Sequence, residues 1–194
     1  MHHALPLSGH PLPFRPGAVL SRLILLTALF LAGLAALFLV GLAALPATAT
    51  EATKGEETGR AIPRFVSLGA AEVNLRTGPG EQYPVTWKFT RQGLPVEVVA
   101  EYDLWRRIRA ADGTLGWVHK TLLSGRRTAI ITGETRTLLS DHDPSAAVVL
   151  RAEAGVQGRL LKCRLSWCEM EIANRRGWLP RDQIWGAYPG EDID

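Results

Sequence analysis

Residues 71–123 read AEVNLRTGPGEQYPVTWKFTRQGLPVEVVAEYDLWRRIRAADGTLGWVHKTLL. Apolar and polar residues alternate there in short bursts, each cut by a turn cluster: Thr77-Gly78-Pro79-Gly80, Gln92-Gly93, Tyr102-Asp103 and Asp112-Gly113. Period-two runs with such punctuation describe a small β-barrel or sandwich. The pattern predicts strands over 65–76, 85–89, 95–101, 105–110 and 116–119. Within 95–101, Val96, Val98 and Ala100 are expected on one face and Glu97, Val99 and Glu101 on the other. Strands this short and this close are joined by tight turns, so the sheet is expected to be antiparallel and to curl, hiding its edges.

Four short motifs add to this reading. Val73-Asn74-Leu75-Arg76 is followed by Gly78-Pro79-Gly80, then by Trp105-x-x-Ile108, then by Gly116-Trp117-Val118. In these residues the stretch resembles the bacterial SH3-like (SH3b) domains. The resemblance implies a small barrel and says little about a ligand.

The stretch also resembles a later part of its own chain. A shift of 62 residues carries Gly93 onto Gly155, Trp105 onto Trp167 and Ile108 onto Met170. One residue drops out in the next turn, after which Gly116-Trp117-Val118 meets Gly177-Trp178-Leu179. Upstream, the same shift lays Ala147-Val148-Val149 on Val85-Thr86-Trp87, and Asp141-His142-Asp143-Pro144 stands where the Gly-Pro-Gly loop was. Such a self-match signals duplication. The arrangement is similar to exported bacterial proteins with paired SH3-like domains. The expected fold is therefore all-β: two tandem small SH3-like β-barrels, 65–128 and a divergent 129–190, after an N-terminal hydrophobic export helix and a flexible spacer.

The repeat gives the two cysteines a meaning. If Leu165-Ser166 is a two-residue turn, Cys163 and Cys168 oppose each other on neighbouring strands. The first copy then places Glu101 and Arg106 at that pair, read as an exposed salt bridge worth ~0.5 kcal/mol. In an oxidising compartment a Cys163–Cys168 disulfide is predicted. A register differing by one residue leaves two free thiols instead.

Residues 23–45 are uncharged and almost wholly apolar, with Arg15 and Arg22 before them and Pro46-Ala47-Thr48-Ala49 after. This is a secretory signal over residues 1–49, cleaved after Ala49 or retained as a membrane anchor. Either way the body is exported, periplasmic or extracytoplasmic, and only 23–45 would touch a membrane. Residues 50–64 are polar with little to bury and read as a flexible linker. The formal charge of +3 comes largely from the leader, since no Asp or Glu precedes Glu51; 20 basic and 19 acidic residues follow Arg22. A body so nearly neutral lacks the footprint of a nucleic-acid binder.

Catalytic equipment is not evident. Beyond the leader there are only two histidines, His119 and His142. Asp141-His142-Asp143 is read as an Asx-rich turn rather than a metal site. Both cysteines sit in one hairpin. The chain is expected to be a non-enzyme, with no cofactor and no metal. A binding reading looks to surface aromatics with polar partners. Tyr83, Trp87, Tyr102, Trp105 and Trp117 are candidates, with Asn74 and Arg76 beside the Gly-Pro-Gly loop. Trp105 and Trp117 recur as Trp167 and Trp178, which favours packing for those two. Asn74, Arg76, Tyr83, Trp87 and Tyr102 are thus the expected ligand-binding residues, with the second copy mainly a support. The expected partner is peptidoglycan peptide or an extended segment of an envelope protein. The alternative is a structural or assembly factor whose barrels form one protein-interaction unit.

Overall fold

A computed structural model describes residues 53–194; the expected export segment, its expected cleavage point and the candidate membrane contact at 23–45 lie outside them. Among the described residues no helix is long and apolar enough to cross a membrane. The sixteen strands among the described residues are short, as the turn spacing requires. The first two, β1 (Thr53–Lys54) and β2 (Ala61–Ile62), pair only with each other.

The first copy follows: β3 (Arg64–Leu68), β4 (Val73–Arg76), β5 (Val85–Phe89), β6 (Pro95–Tyr102), β7 (Trp105–Arg109), β8 (Leu115–His119), a 3₁₀ turn (Lys120–Leu122) and β9 (Leu123–Ser124). The strand expected over 65–76 is two strands. The chain breaks at Gly69, whose N–H donates to Leu122 O at 2.7 Å rather than to the ladder. The second copy runs β10 (Thr128–Ile131), β11 (Arg136–Leu139), β12 (Val148–Ala152), β13 (Gln157–Arg164), β14 (Trp167–Ile172), β15 (Arg175–Pro180), a 3₁₀ turn (Arg181–Gln183) and β16 (Ile184–Trp185).

The two sheets have the same topology. Their spatial orders are β5-β4-β8-β7-β6-β3-β9 and β12-β11-β15-β14-β13-β10-β16, with every named pairing antiparallel. Each sheet curves around its own core. Leu68, Val73, Leu75, Val96, Val98, Ile108 and Val118 fill the first. Ile131, Leu138, Leu160, Met170 and Leu179 fill the second, with both cysteines. Gly116 and Gly177 let one strand cross close to another. A Cβ on Gly116 would lie 2.5 Å from Leu75 Cγ, and one on Gly177 would lie 2.8 Å from Leu138 Cβ.

Structural pairing corrects the upstream alignment of the repeat. Thr77 N–H donates to Pro84 O and Ser140 N–H to Ala147 O, so the shift there is 63 residues. Tyr83 therefore corresponds to Ala146 and Trp87 to Leu150, not to Ser145 and Val149. The second copy has one residue fewer in the turn that ends at Gly93 or Gly155, both at positive φ, and the shift becomes 62 there.

The alternation expected for 95–101 holds through Val96 and Val98 and then breaks. A β-bulge between Val98 and Ala100 inserts one residue, so Glu101 pairs with Arg106 on the core-facing side. One extra residue reverses the facing of everything after it. The Glu101–Arg106 pair is accordingly buried, not exposed: the Glu101 side chain is 1% exposed and Arg106 as a residue 4%. The second copy carries the same bulge between Leu160 and Lys162, and Cys163 opposes Cys168 inside the core. There the structure contains the disulfide, with Cα atoms 4.1 Å apart. The same inward position thus holds an ion pair in one copy and a covalent bond in the other.

Residues 53–62, expected as part of the spacer, have a task in this arrangement. Glu101 accepts hydrogen bonds from Thr58 Oγ1 (2.7 Å), Thr58 N–H (3.0 Å), Glu57 N–H (3.1 Å) and Arg64 Nη2 (2.6 Å). Burial pushes the Glu101 carboxyl upward, but the Thr58 and Arg64 bonds outweigh it and hold it below its ordinary value. The β1–β2 hairpin is a cover held on by a buried charge.

The copies meet through the chain after β16. Phe65 of β3 lies 4.9 Å from Trp185 and 4.7 Å from Tyr188 by ring centroids. Tyr188 Oη donates to Glu97 Oε1 at 2.7 Å, Arg109 Nε donates to the other oxygen at 2.7 Å, and Thr128 Oγ1 donates to Gly93 O at 2.7 Å. Burial, then the facing Glu97, pushes the Tyr188 hydroxyl far above its ordinary range, so it stays a neutral donor.

Candidate binding surfaces

Residues opposed across an antiparallel ladder share a face. In the first copy Tyr102 pairs with Trp105 and Trp105 with His119. One step along, Arg107 pairs with Trp117, Trp117 with Arg76, and Arg76 with Val85. These positions alternate with core-facing Arg106, Ile108 and Val118, so both rows lie on the outer face. Trp105 and Trp117 are half-buried and absent from the core cluster. The Trp105 and His119 rings meet edge-on at 5.4 Å. The packing role favoured for these tryptophans is therefore not a core role. Their alternation with Arg106/Ile108 and Gly116/Val118 puts the tryptophans on one face, and the strand pairing makes that the outer one.

The five residues expected to bind do not form one cluster. Arg76 and Tyr102 stand at opposite ends of the aromatic rows. Asn74 is exposed on the Arg76 side of β4, opposite Lys88. Arg76 Nη1 is engaged within the loop, donating to Glu81 O (2.9 Å) and Tyr83 O (2.8 Å). The Tyr83 ring lies over Gly78 in the space where a Cβ would stand. Trp87 is 56% exposed, but it pairs with core-facing Leu75 and so projects from the other side of the sheet.

In the second copy Trp167 pairs with Pro180, which stands in His119's place, and Trp178 pairs with Leu139. Trp167 and Pro180 line two adjoining hollows. One, of about 690 Å³, is also lined by Leu165, Ile184, Ala187 and Pro189; the other, of about 530 Å³, by Leu139, Pro144 and Val148. Leu165 stands at the tip of the disulfide-closed hairpin, 86% exposed and at φ 52°. The turn conformation is shared by the two copies, since Asp103, the equivalent residue of the first, has φ 46°. The copy expected to be a support thus carries an apolar groove of its own. The sequence hid it because its walls come from the 164–167 turn, β15 and the chain after β16.

Asp141-His142-Asp143 forms a turn. Asp143 Oδ1 accepts from Ser145 N–H (2.7 Å) and Ser145 Oγ (2.6 Å), bonds that hold its carboxyl below the ordinary range. The His142 ring lies 5.4 Å from that of Trp178. Among the described residues no group of three or more His, Cys, Asp or Glu side chains is arranged to hold a metal ion.

A family model described as a bacterial SH3 domain matches residues 69–125 and again 134–186, more than half of the chain. A comparison with curated proteins finds no match. Among solved structures the chain is similar to NlpC2 from Trichomonas vaginalis, at 11% identity and a TM-score of 0.31, covering 65% of this chain and 49% of that one. NlpC1 from the same organism gives 11% and 0.31, with 69% and 48% covered. An NlpC/P60 family protein from Bacillus cereus gives 13% and 0.29, with 67% and 58% covered. The chain spans about half the length of the first two. With its model matched twice, on two sheets of identical topology, this chain belongs to the bacterial SH3 domain family, as a tandem pair.

Proposed function

We propose that the chain is a non-catalytic binding protein of the cell envelope, exported and presenting its two barrels as one unit to cell-wall peptide or to an extended segment of an envelope protein. Bacterial SH3 domains commonly bind peptidoglycan or proteins, and the disulfide accords with an oxidising compartment. The observation that carries the reading is the outward placement of the repeated tryptophans, Trp105 and Trp117 in one copy and Trp167 beside its groove in the other. Aromatic rings flanked by shallow hollows suit an extended chain, which brings alternate side chains and backbone to one surface. The Phe65–Tyr188–Glu97 junction supports the single-unit aspect, because it ties the end of the second copy to the first.

Sedimentation of the full chain with purified peptidoglycan at low salt tests the cell-wall reading. Retention that falls at least tenfold in a Trp105→Ala/Trp117→Ala variant supports it. If the wild type stays in the supernatant, the cell-wall version is wrong, and crosslinking in the envelope should then yield one discrete protein partner.

A further inference from the structure

One outer row differs in charge between the two copies. In the first it runs from Arg107 on β7 through Trp117 on β8 and Arg76 on β4 to Val85 on β5. The same row in the second copy reads Glu169, Trp178, Leu139 and Val148. The tryptophan and the valine are kept, while the two arginines beside the first tryptophan give way to a glutamate and a leucine. A shared framework accounts for Trp117 and Trp178 but not for the arginines. Both of those are open. Arg107 is exposed and makes no ion pair or side-chain hydrogen bond among the described residues. Arg76 spends Nη1 on the carbonyls of Glu81 and Tyr83; its other nitrogens have no partner and, unlike Nε of Arg64, are not buried.

The carboxylates of this copy do not answer that charge. Glu97 is held by Arg109 and Tyr188, Glu101 faces the core, and Glu72 pairs with Lys88. Asp103 and Asp112 stand in the hairpin turns, and Glu81 in the loop that Arg76 braces. Adjacent strands are about 4.8 Å apart, so Arg107 and Arg76 are about 10 Å apart at the backbone, with Trp117 between them. An extended segment rises about 3.3 Å per residue and turns every second side chain to the same side. Three such side chains cover about 13 Å, a span that two long arginines reach. The chemistry that fits is acidic, apolar, acidic: carboxylates accept the forked donors of arginine, and an apolar group lies on the indole. A lipid surface calls for apolar tips projecting beyond the cations, whereas Trp117 is half-buried between them.

We infer that the Arg107–Trp117–Arg76 row of the first copy binds an extended acidic segment of a partner protein, of the pattern acidic-x-apolar-x-acidic. The two carboxylates pair with Arg107 and Arg76, and the apolar side chain between them packs on Trp117. The second copy, with Glu169 and Leu139 in those places, does not bind it. This rests on the binding reading above and names a ligand class for the first copy.

The test uses the full chain and three peptides followed by calorimetry. They are N-acetyl-Glu-Ala-Leu-Ala-Glu-amide, its twin with glutamine for both glutamates, and the isomer N-acetyl-Ala-Glu-Leu-Glu-Ala-amide, which turns the acids to the side opposite the leucine. At low salt the first should bind at least about tenfold tighter than either of the others, and the gap should narrow as salt is raised. Arg107→Glu, which gives the first copy the charge of the second, should abolish the preference. Arg151→Glu, an exposed position on β12, changes the net charge equally and should leave it intact. Equal binding of the acidic peptide and its glutamine twin, or no binding of the acid at millimolar concentration, overturns the inference without any variant. Equal binding of the isomer overturns the extended pattern. A preference that survives Arg107→Glu overturns the role of the row, and one lost equally in Arg151→Glu is an effect of net charge alone. Should the reversal disturb folding, Arg107→Gln removes only the charge and should still cut the preference at least about twofold; no cut there overturns the inference too. Displacement of the acidic peptide by an equal concentration of soluble peptidoglycan fragments, or by phosphatidylglycerol vesicles, overturns the assignment to a protein segment. Peptidoglycan retention with no acid preference would sink this inference and leave the proposed function standing. An acid preference without retention would do the reverse for the cell-wall reading.

Discussion

Replacing Glu101 by alanine removes the carboxylate on which the β1–β2 hairpin, Arg64 and Arg106 converge. Four hydrogen bonds of 2.6–3.1 Å are lost, and Arg106, 4% exposed, loses the carboxylate 3.5 Å from its Nε. Breaking a buried ion pair by removing one partner costs roughly 3–5 kcal/mol. The low end applies, because Arg106 Nη1 keeps the carbonyls of Asp103 (2.8 Å) and Trp105 (2.7 Å), and Arg64 is near the surface. Glu101→Ala should therefore destabilise by about 3 kcal/mol, a fall of about 1.5 M in the urea midpoint at an m-value near 2 kcal/mol/M. Hydrogen exchange should show the Glu57 and Thr58 amides unprotected in the variant and protected in the wild type. The pH dependence has a definite sign. The folded carboxyl is held below its ordinary value, so its contribution is present in full above about pH 4.5 and fades as pH falls through the lowered folded value. The gap between wild type and variant should close in acid. A loss of only about 0.5 kcal/mol, the worth of an exposed pair, with protection at Glu57 and Thr58 unchanged, would refute both the buried pair and the docked hairpin.

Gly55→Ala should release the same hairpin from the other side, since a Cβ there would lie 2.5 Å from Glu101 Oε2; exchange at Thr58 should rise while the urea midpoint moves less than in Glu101→Ala. Reducing Cys163–Cys168 should cost about 2 kcal/mol at most, because the closed loop is short, and intact mass with and without reductant should show the gain of two hydrogens. Tyr188→Phe strips one donor from buried Glu97 while leaving Arg109 in place, and should cost about 1–2 kcal/mol in urea unfolding; no change would mean that the copies are not coupled there.

The parts of this protein that depend on near neighbours were legible from the chain itself. Strand number and turn position follow from alternation and from Gly, Pro and Asp at the breaks, and the duplication follows from self-similarity. The Cys163–Cys168 pairing was legible on the condition that Leu165-Ser166 is a two-residue turn, and the structure has that register.

What the chain could not reveal was facing and distance. The bulges after Val98 and Leu160 reverse the side on which every later residue stands, and they leave no mark in composition. They turned Glu101 from a surface charge into a buried one. On β7 and β8 the tryptophans alternate with a mixed set, Arg106, Ile108, Gly116 and Val118, so pattern alone did not decide which set was the core. Only the paired sheet put Trp105 and Trp117 outside. The hairpin over Glu101 and the Tyr188–Glu97 bond join segments far apart in sequence, up to 91 residues for Tyr188 and Glu97. Local preference carries no information about such meetings. Alternation and turn chemistry determined two small barrels; tertiary closure decided which residues those barrels bury and which they present.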